Sequence, residues 1–263
     1  MLIQRELGGT GMRVSRLGLG TVKFGRNEQV KYPAGFDLPS DREITALLHQ
    51  AMAAGVNLID TAPAYGGSEQ RLGKLLPERD RWLLCTKVGE IFEAGSSRFD
   101  FSAGHTRASV EASLRRLRSD RLDIVLIHSH GNDLDILDHS DCLETLTRLR
   151  ERGLIRAIGM SSKTVAGGLR AIDRVDVLML TYNSADTSQA EVIRAAHKAG
   201  KGVLIKKGLA SGHALKDHSV SAAETFRFLL QPPGVSSIIV GTINPSHLRE
   251  NIAAVEAVPA AAA

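Results

Sequence analysis

The chain has 263 residues, 43% of them hydrophobic and 24% charged, with a net charge of +4. That is globular composition with enough length for a large core, and so slight and scattered a charge argues against a nucleic-acid partner. No apolar run reaches the roughly 18–20 residues that span a bilayer, and the start, Met1-Leu-Ile-Gln-Arg-Glu6, lacks the apolar centre of a secretion signal, so cytoplasmic residence is expected.

Taken in order, residues 2–8 and 12–18 read as a short hairpin, turned by Gly8-Gly-Thr-Gly11. Leu17-Gly-Leu-Gly-Thr21 follows as a strand whose glycines allow close approach of a backbone or ligand. Residues 22–40 carry Gly25, Pro33, Gly35 and Pro39 and are expected to be irregular. Ser40-Asp-Arg-Glu43 is a capping box, and it opens a helix to about Ala54 that Gly55 stops.

From there strands and helices alternate. Strands are expected at 56–60, 82–88, 122–128, 155–160, 175–182, 202–206 and 236–240. The intervening helices fall at 68–76, 105–118, 140–152, 164–172, 188–198 and 220–231, and a last one at 245–255 is capped by Asn244. The tail from Pro259 is expected to fray. Most strands are short continuous apolar runs, as in a sheet buried on both faces. With Leu17–Thr21 counted first, eight βα units point to a closed (β/α)8 TIM barrel, with residues 1–263 forming a single domain. The alternative is an open doubly wound sheet, but no strand leads into a glycine-rich phosphate turn.

Cys85 and Cys142 share no spacing motif and read as buried reduced thiols. The nine histidines form no spaced cluster with Cys or Glu, so no metal site is expected. The basic cluster Leu114-Arg-Arg-Leu-Arg-Ser-Asp-Arg121 has helical spacing and reads as a solvated helix face. Trp82, at the start of a strand, reads as core or barrel rim.

A barrel of this kind builds its site at the C-terminal ends of its strands. Those ends carry Thr21, Asp60 with Tyr65, Lys87, His128, Ser161 with Ser162, Asn183, Lys206 with Lys207, and Gly241 with Thr242. Asp60, Tyr65, Lys87 and His128 arrive from three consecutive units and make chemical sense together. An isolated phenol has a pKa near about 10 and is a weak acid at neutral pH. A neighbouring ammonium, Lys87, lowers that value, and Asp60 holds Lys87 charged and oriented. His128 is placed to hydrogen-bond a carbonyl oxygen or to relay a proton to Tyr65. The group donates a proton to an oxygen that becomes an alkoxide. No nucleophile is paired with a base, so a hydride donor is the natural attacking agent.

The matching pieces of a family lie along nearly the whole chain. They are Arg5-Glu-Leu-Gly-Gly-Thr-Gly-Met-Arg-Val-Ser-Arg-Leu-Gly-Leu-Gly-Thr21, Asn57-Leu-Ile-Asp-Thr-Ala-Pro-Ala-Tyr-Gly-Gly-Ser-Glu69, Cys85-Thr-Lys-Val88, Leu122-Asp-Ile-Val-Leu-Ile-His128, Ile155-Arg-Ala-Ile-Gly-Met-Ser-Ser162, and Glu250-Asn251. In that order they resemble the aldo-keto reductases. The resemblance implies a (β/α)8 barrel with an N-terminal β-hairpin closing its bottom, and NADP(H)-dependent interconversion of small carbonyls and alcohols. It places the catalytic tetrad on Asp60, Tyr65, Lys87 and His128, with Tyr65 as the general acid.

Cofactor contacts implied by the resemblance fall on Gly20, Thr21, Ser161, Ser162, Lys206, Lys207, Leu209, Gly241, Thr242, His247, Glu250 and Asn251. Several depart from the family pattern. Ser161 and Ser162 replace a Ser-Asn pair that holds the nicotinamide carboxamide. Met179 stands where the family has a glutamine, and Lys206 where a tyrosine often stacks on the nicotinamide. The usual Ser-Pro-Leu-Gly loop reads Lys207-Gly-Leu-Ala210. The segment that grips an adenosine 2′-phosphate reads Gly241-Thr-Ile-Asn-Pro-Ser-His247, with Arg249 nearby. NADPH is preferred to NADH as cofactor because the family leans that way. An ammonium at Lys206 would repel the oxidised ring and attract pyrophosphate oxygens, or else it points outward or pairs with a carboxylate.

Lys23 and Phe24 are expected to touch substrate, and His130 either lines the substrate mouth or is a plain loop histidine. Segments 26–40 and 131–139 are the expected pocket walls. The chain ends soon after the last helix, which suggests an open site. Against the enzyme stands a second reading, a cofactor-binding sensor or regulatory barrel with little turnover. Neither substrate nor oligomeric state is specified by the residues.

Overall fold

The computed structural model describes residues 1–30, 32, 35–209 and 221–259. Pro33, Ala210, residue 220 of the expected 220–231 helix and tail residues 260–263 lie outside the described residues.

Eight parallel strands close into a barrel: β3 (Leu17–Gly20), β4 (Leu58–Asp60), β5 (Leu83–Val88), β8 (Leu122–His128), β9 (Ile155–Ser161), β10 (Val177–Thr181), β11 (Gly202–Lys206) and β12 (Val235–Val240). β12 pairs with β3 through Ile238–Leu17 and Val240–Leu19, which completes the ring and removes every free edge. The expected (β/α)8 architecture is therefore the observed one. Helices α2 (Asp41–Ala53), α3 (Ser68–Leu75), α4 (Ala103–Leu117), α6 (Cys142–Glu151), α7 (Val165–Ala171), α8 (Ala190–Lys198), α9 (Ala222–Leu230) and α10 (Pro245–Glu256) pack outside the ring. The capping box of α2 forms as read: the Glu43 backbone N–H donates to Ser40 Oγ at 3.3 Å, and the Ser40 N–H donates to Glu43 Oε2 at 2.7 Å.

Side-chain alternation along the strands gives two apolar layers. One joins strands to helices, with Leu19, Ile59, Leu84, Val125, Ile158 and Ile205 among its buried members. The other fills the barrel interior with Leu58, Cys85, Ile124, Leu126, Met179 and Leu204. Hairpin β1 (Gln4–Glu6) with β2 (Arg13–Ser15) pushes Leu7, Met12 and Val14 into that interior layer. The bottom is thus closed by apolar side chains, which leaves the other end for polar chemistry. Trp82 is core, with its indole N–H donating to Pro77 O at 2.8 Å. Cys85 and Cys142 are buried free thiols.

Three elements were not expected from the sequence. Residues 22–40 begin with a one-turn helix, α1 (Val22–Gly25), and segment 131–139 contains α5 (Asp133–His139). Between β5 and α4 stands a hairpin of β6 (Glu90–Glu93) and β7 (Ser96–Phe99). One arginine of the 114–121 cluster is also not simply solvated: Arg116 Nε donates to Glu69, a fully buried carboxylate, at 2.6 Å.

Tyr65 is delivered by the short 3-10 turn Pro63–Tyr65 between β4 and α3. Gly66 leaves that turn at φ +59°, and a Cβ there would stand 2.1 Å from the Gly25 carbonyl oxygen. Only glycine meets both demands. Gly66→Ala is therefore expected to lower stability by about 3 kcal/mol, as backbone strain joined to a close backbone clash. Urea melts check this: the midpoint falls at an unchanged slope, and a midpoint equal to wild type contradicts it.

Candidate active site

The top of the barrel opens into a cavity of about 1430 Å³. Asp60, Tyr65, Lys87 and His128 all line it. Each is placed by a strand end or by the turn that follows one, so four separate backbone anchors fix one cluster. Lys87 is 1% exposed and donates to Asp60 Oδ1 at 2.5 Å and to the Thr61 carbonyl at 2.9 Å. Its ammonium sits 4.8 Å from the centre of the Tyr65 ring. His128 meets the same ring edge-on, with centroids 6.3 Å apart.

Burial opposes the charge on Lys87, but Asp60, with Tyr65 and Cys85 beside it, outweighs that and holds the ammonium above its usual range. Tyr65 behaves otherwise than expected. Burial pushes its phenol up, and although Lys87 pulls it down, the net direction is upward. The reason is desolvation: the phenolate loses more water than one shared ammonium replaces. Tyr65 is thus a firmly protonated phenol at neutral pH.

His128 carries a contact that the sequence did not reveal. Its Nδ1 lies 2.8 Å from Glu90 Oε2, on the unexpected hairpin. The carboxylate stands off the ring N–H line, and Nδ1 is otherwise buried without a hydrogen-bonding partner among the described residues. Burial lowers the imidazole pKa, Glu90 raises it, and Lys87 and Lys206 lower it further; the net direction is down. Burial works against the Glu90 carboxylate, but His128, Ser97 and Arg26 outweigh it and bring it to about 2. At neutral pH the pair is a carboxylate beside a neutral imidazole.

The cavity continues across the barrel past Gly20, Thr21, Ser161, Lys206, Lys207, Leu209, Gly241 and Thr242 to His247, Glu250 and Asn251 on α10. Ser162 is the exception. Its hydroxyl is buried on the α7 side near Gly168, without a hydrogen-bonding partner among the described residues, and its carbonyl oxygen accepts from Lys206. The Lys206 ammonium donates to Ser161 Oγ at 2.8 Å and to the Ser162 carbonyl at 2.9 Å. It points inward rather than to a carboxylate. Burial, then the charges of Lys207, Lys87 and Lys163, push its pKa down to about 7. Met179 closes the cavity floor as an apolar side chain.

One expected substrate contact, Phe24, does not reach the cavity, and His130 is the loop histidine of its second reading. Phe24 is fully buried in the core, because the short helix α1 turns its ring inward. His130 packs edge-on against Phe99 and Phe101, at 5.2 and 5.4 Å between centroids, and does not line the cavity. Lys23 does line it, with its ammonium 4.0 Å from the centre of the Tyr32 ring. Tyr32 stands over Gly241, where an added Cβ would come 2.7 Å from its hydroxyl. Burial pushes the Tyr32 phenol up to about 12, with the Asp60 charge adding to it.

Gln189 lines the cavity as well, and its amide oxygen is buried without a partner among the described residues. A buried acceptor of this kind costs free energy until a donor meets it. With two lysines, a serine hydroxyl and Asn251 on the same wall, the donor set fits a nucleotide bearing phosphates and a carboxamide. No helix among the described residues is long and apolar enough to cross a membrane.

Comparison with known proteins agrees with this architecture. The aldo/keto reductase family model matches residues 16–219. The chain is 29% identical to L-galactose dehydrogenase of Arabidopsis thaliana, over 95% of this chain and 87% of that protein. It is 28% identical to the NADH-specific methylglyoxal reductase of Escherichia coli, over 89% of this chain and 76% of that protein. A solved structure described as a putative aldo-keto reductase from Pseudomonas aeruginosa is 51% identical, with a TM-score of 0.88, covering 96% of this chain and 94% of that one. Members of this family are carbonyl oxidoreductases that use nicotinamide cofactors. With its closed barrel, its N-terminal hairpin and this match, the chain belongs to the aldo/keto reductase family.

Proposed function

We propose that this protein is an NADP(H)-dependent enzyme that reduces aldehydes or ketones to alcohols, with Tyr65 as the proton donor. The observation that carries this reading is the buried Asp60–Lys87 pair set beside the Tyr65 ring in one cavity. A nicotinamide held by Ser161, Gln189, Lys206 and Lys207 supplies the hydride when bound. The protein's own part is the proton. Burial keeps Tyr65 protonated until charge develops on the substrate oxygen, and the Lys87 ammonium stabilises the phenolate that remains. Asp60 keeps Lys87 charged and aimed. A positioned acid of this kind contributes about 10²–10⁴-fold in rate.

NADPH is the proposed cofactor, with His247 and Arg249 on α10 offered to a 2′-phosphate; the similarity to an NADH-specific relative makes NADH the alternative. A cytoplasmic, single-domain enzyme acting on small carbonyls completes the proposal. The test is oxidation of NADPH and of NADH against a panel of small aldehydes. Turnover with faster NADPH oxidation supports the reading, and tight cofactor binding without turnover on any carbonyl supports a sensor. That second reading draws on Met179 and Lys206, which depart from the family pattern along the cofactor wall.

Lys206 yields its own prediction. Its pKa is pushed down to about 7, so it is charged in mild acid and neutral in mild base. As an ammonium it disfavours the positively charged oxidised ring. The ratio of NADP⁺ to NADPH dissociation constants should therefore fall as pH rises through the region of that pKa, and should be smaller and flat with pH in Lys206→Tyr. Fluorescence titration measures both, and a ratio unchanged by the substitution contradicts the assignment.

A further inference from the structure

Lys206 closes β11, and its side chain runs inward. β10 stands between β11 and β9 in the ring, and the Lys206 nitrogen reaches past it to the end of β9. There it donates to Ser161 Oγ at 2.8 Å and to the Ser162 carbonyl at 2.9 Å. Both acceptors are neutral, and no carboxylate pairs with this nitrogen among the described residues.

The charges around it are mostly of its own sign. Lys207 is the next residue, Lys87 comes from β5 and Lys163 follows β9, and all three oppose a charge on Lys206. His128 on β8 faces the same group as a neutral ring. Asp133 on α5 works the other way. Its oxygens, however, already accept from Ser129 Oγ, from the backbone N–H groups of Lys163 and Thr164, and from Thr164 Oγ.

An ammonium has three protons to place, and the protein offers two acceptors here. A neutral amine has two N–H groups, which those acceptors satisfy, and its lone pair is left over. Burial among cations favours that form, and a pKa of about 7 leaves a large share of it at neutral pH. A surface lysine, with a pKa near about 10.4, keeps only about one amine in 10³ neutral. A neutral lysine amine in a closed pocket that admits carbonyl compounds is the usual starting point of an imine.

We propose that Lys206 is a nucleophile that captures small aldehydes as a reversible imine when the nicotinamide site is empty, so that aldehyde and cofactor compete for it. The amine lone pair forms a C–N bond to the aldehyde carbon. The C=O π pair moves to oxygen, which takes a proton from the nitrogen through solvent. The resulting carbinolamine loses its hydroxyl together with the second N–H proton as water, and C=N remains. Nothing is oxidised or reduced, and water reverses the step. Ser161 Oγ, an acceptor toward the amine, then turns to donate to the imine nitrogen. The competition rests on the reductase reading above; the imine does not.

Acetaldehyde with cyanoborohydride at neutral pH tests this. Hydride from the reagent adds to the imine carbon, a proton adds to nitrogen, and the lysine is left as a stable N-ethyl derivative that peptide mass mapping locates. Lys206 is expected to be ethylated at least about tenfold faster than exposed Lys198 in the same sample. That ratio should shrink as pH rises from neutral toward the alkaline range, because Lys198 gains neutral amine and Lys206 has little left to gain. NADPH at about ten times its Kd should lower ethylation of Lys206 about tenfold relative to Lys198. Turnover of the aldehyde slows both lysines alike and leaves the ratio untouched. In Lys206→Arg no lysine at this strand end should react fast.

Ethylation of Lys206 no faster than that of Lys198 overturns the nucleophile, and so does a fast-reacting Lys207 in Lys206→Arg. Fast ethylation of Lys206 that saturating NADPH leaves unchanged overturns the competition. If a titration shows that neither NADPH nor NADH binds, the reductase reading falls with the competition, while the ratio of the two lysines still decides the nucleophile.

Discussion

Replacing Tyr65 by phenylalanine is expected to lower kcat for carbonyl reduction by about 10²–10⁴-fold, the range of a positioned general acid. The substitution removes one hydroxyl and leaves the ring against Lys87 and His128. The proposed cofactor contacts fall on the other wall, at Lys206, Lys207 and α10, so cofactor affinity should stay within about threefold of wild type. Rapid mixing with cofactor and aldehyde, beside a binding titration, measures the two separately. The effect is confined to the proton because nothing else in the cluster matches that phenol. Lys87 is held as an ammonium by Asp60, His128 is a neutral ring, and Tyr32 is a buried phenol above a glycine. Loss of both binding and turnover would instead mean that Tyr65 shapes the cavity.

Asp60→Asn should cost about 3–5 kcal/mol of stability at neutral pH, the penalty for leaving one member of a buried ion pair alone. The Lys87 ammonium would keep the Thr61 carbonyl as a partner but lose its counter-charge. The sign of the pH dependence follows. In the wild type the Lys87 pKa is raised, so its contribution is fully present at neutral pH and is lost only as pH rises through that raised value. In Asp60→Asn the largest charge opposing desolvation is gone, and the pKa is expected to fall below its unfolded value. The unfolded chain then binds the extra proton, and the variant regains stability as pH rises from neutral toward the alkaline range. Adding Lys87→Met should return part of the loss, because the orphaned charge is gone. Urea melts across pH check this, and a variant as stable as wild type at neutral pH would show that the pair contributes nothing.

The barrel was legible because its signals are local and repeated. Buried strands read as short apolar runs, and caps such as Ser40–Glu43 and Asn244 mark where helices begin. The four clustered residues were legible because strand ends of such a barrel converge by topology, whatever the loops do. Glu90 was not. Its hairpin turns through Ala94 at φ +49° and Gly95 at φ +74°, and alanine is a poor signal for a turn with two positive φ angles. Glu90-Ile-Phe-Glu93 has two adjacent apolar residues between glutamates, which is no strand alternation, and a glutamate in such a run reads as solvated.

The placement of Phe24, and the choice between the two readings of His130, are hidden for a related reason. Adjacency to a strand end says nothing about which way a loop side chain turns, and one-turn helix α1 and the Phe99–Phe101 pair decide it. Ser162 follows Ser161 in sequence, but the strand alternation sends its hydroxyl to the α7 side. Gln189 precedes a helix like any polar residue there, and only its burial without a partner marks it. The phenol of Tyr65 was read in the wrong direction because charge partners are visible in sequence and desolvation is not.

The proposed role of Tyr65 is to deliver the proton in a hydride-transfer reaction on a carbonyl. The most direct measurement is a single turnover with NADPH deuterated at the transferred position and an aldehyde, run for wild type and Tyr65→Phe with cofactor bound to both. Deuterated alcohol is expected from the wild type and almost none from Tyr65→Phe over the same interval. Label appearing in the alcohol at equal rates from both proteins would contradict it.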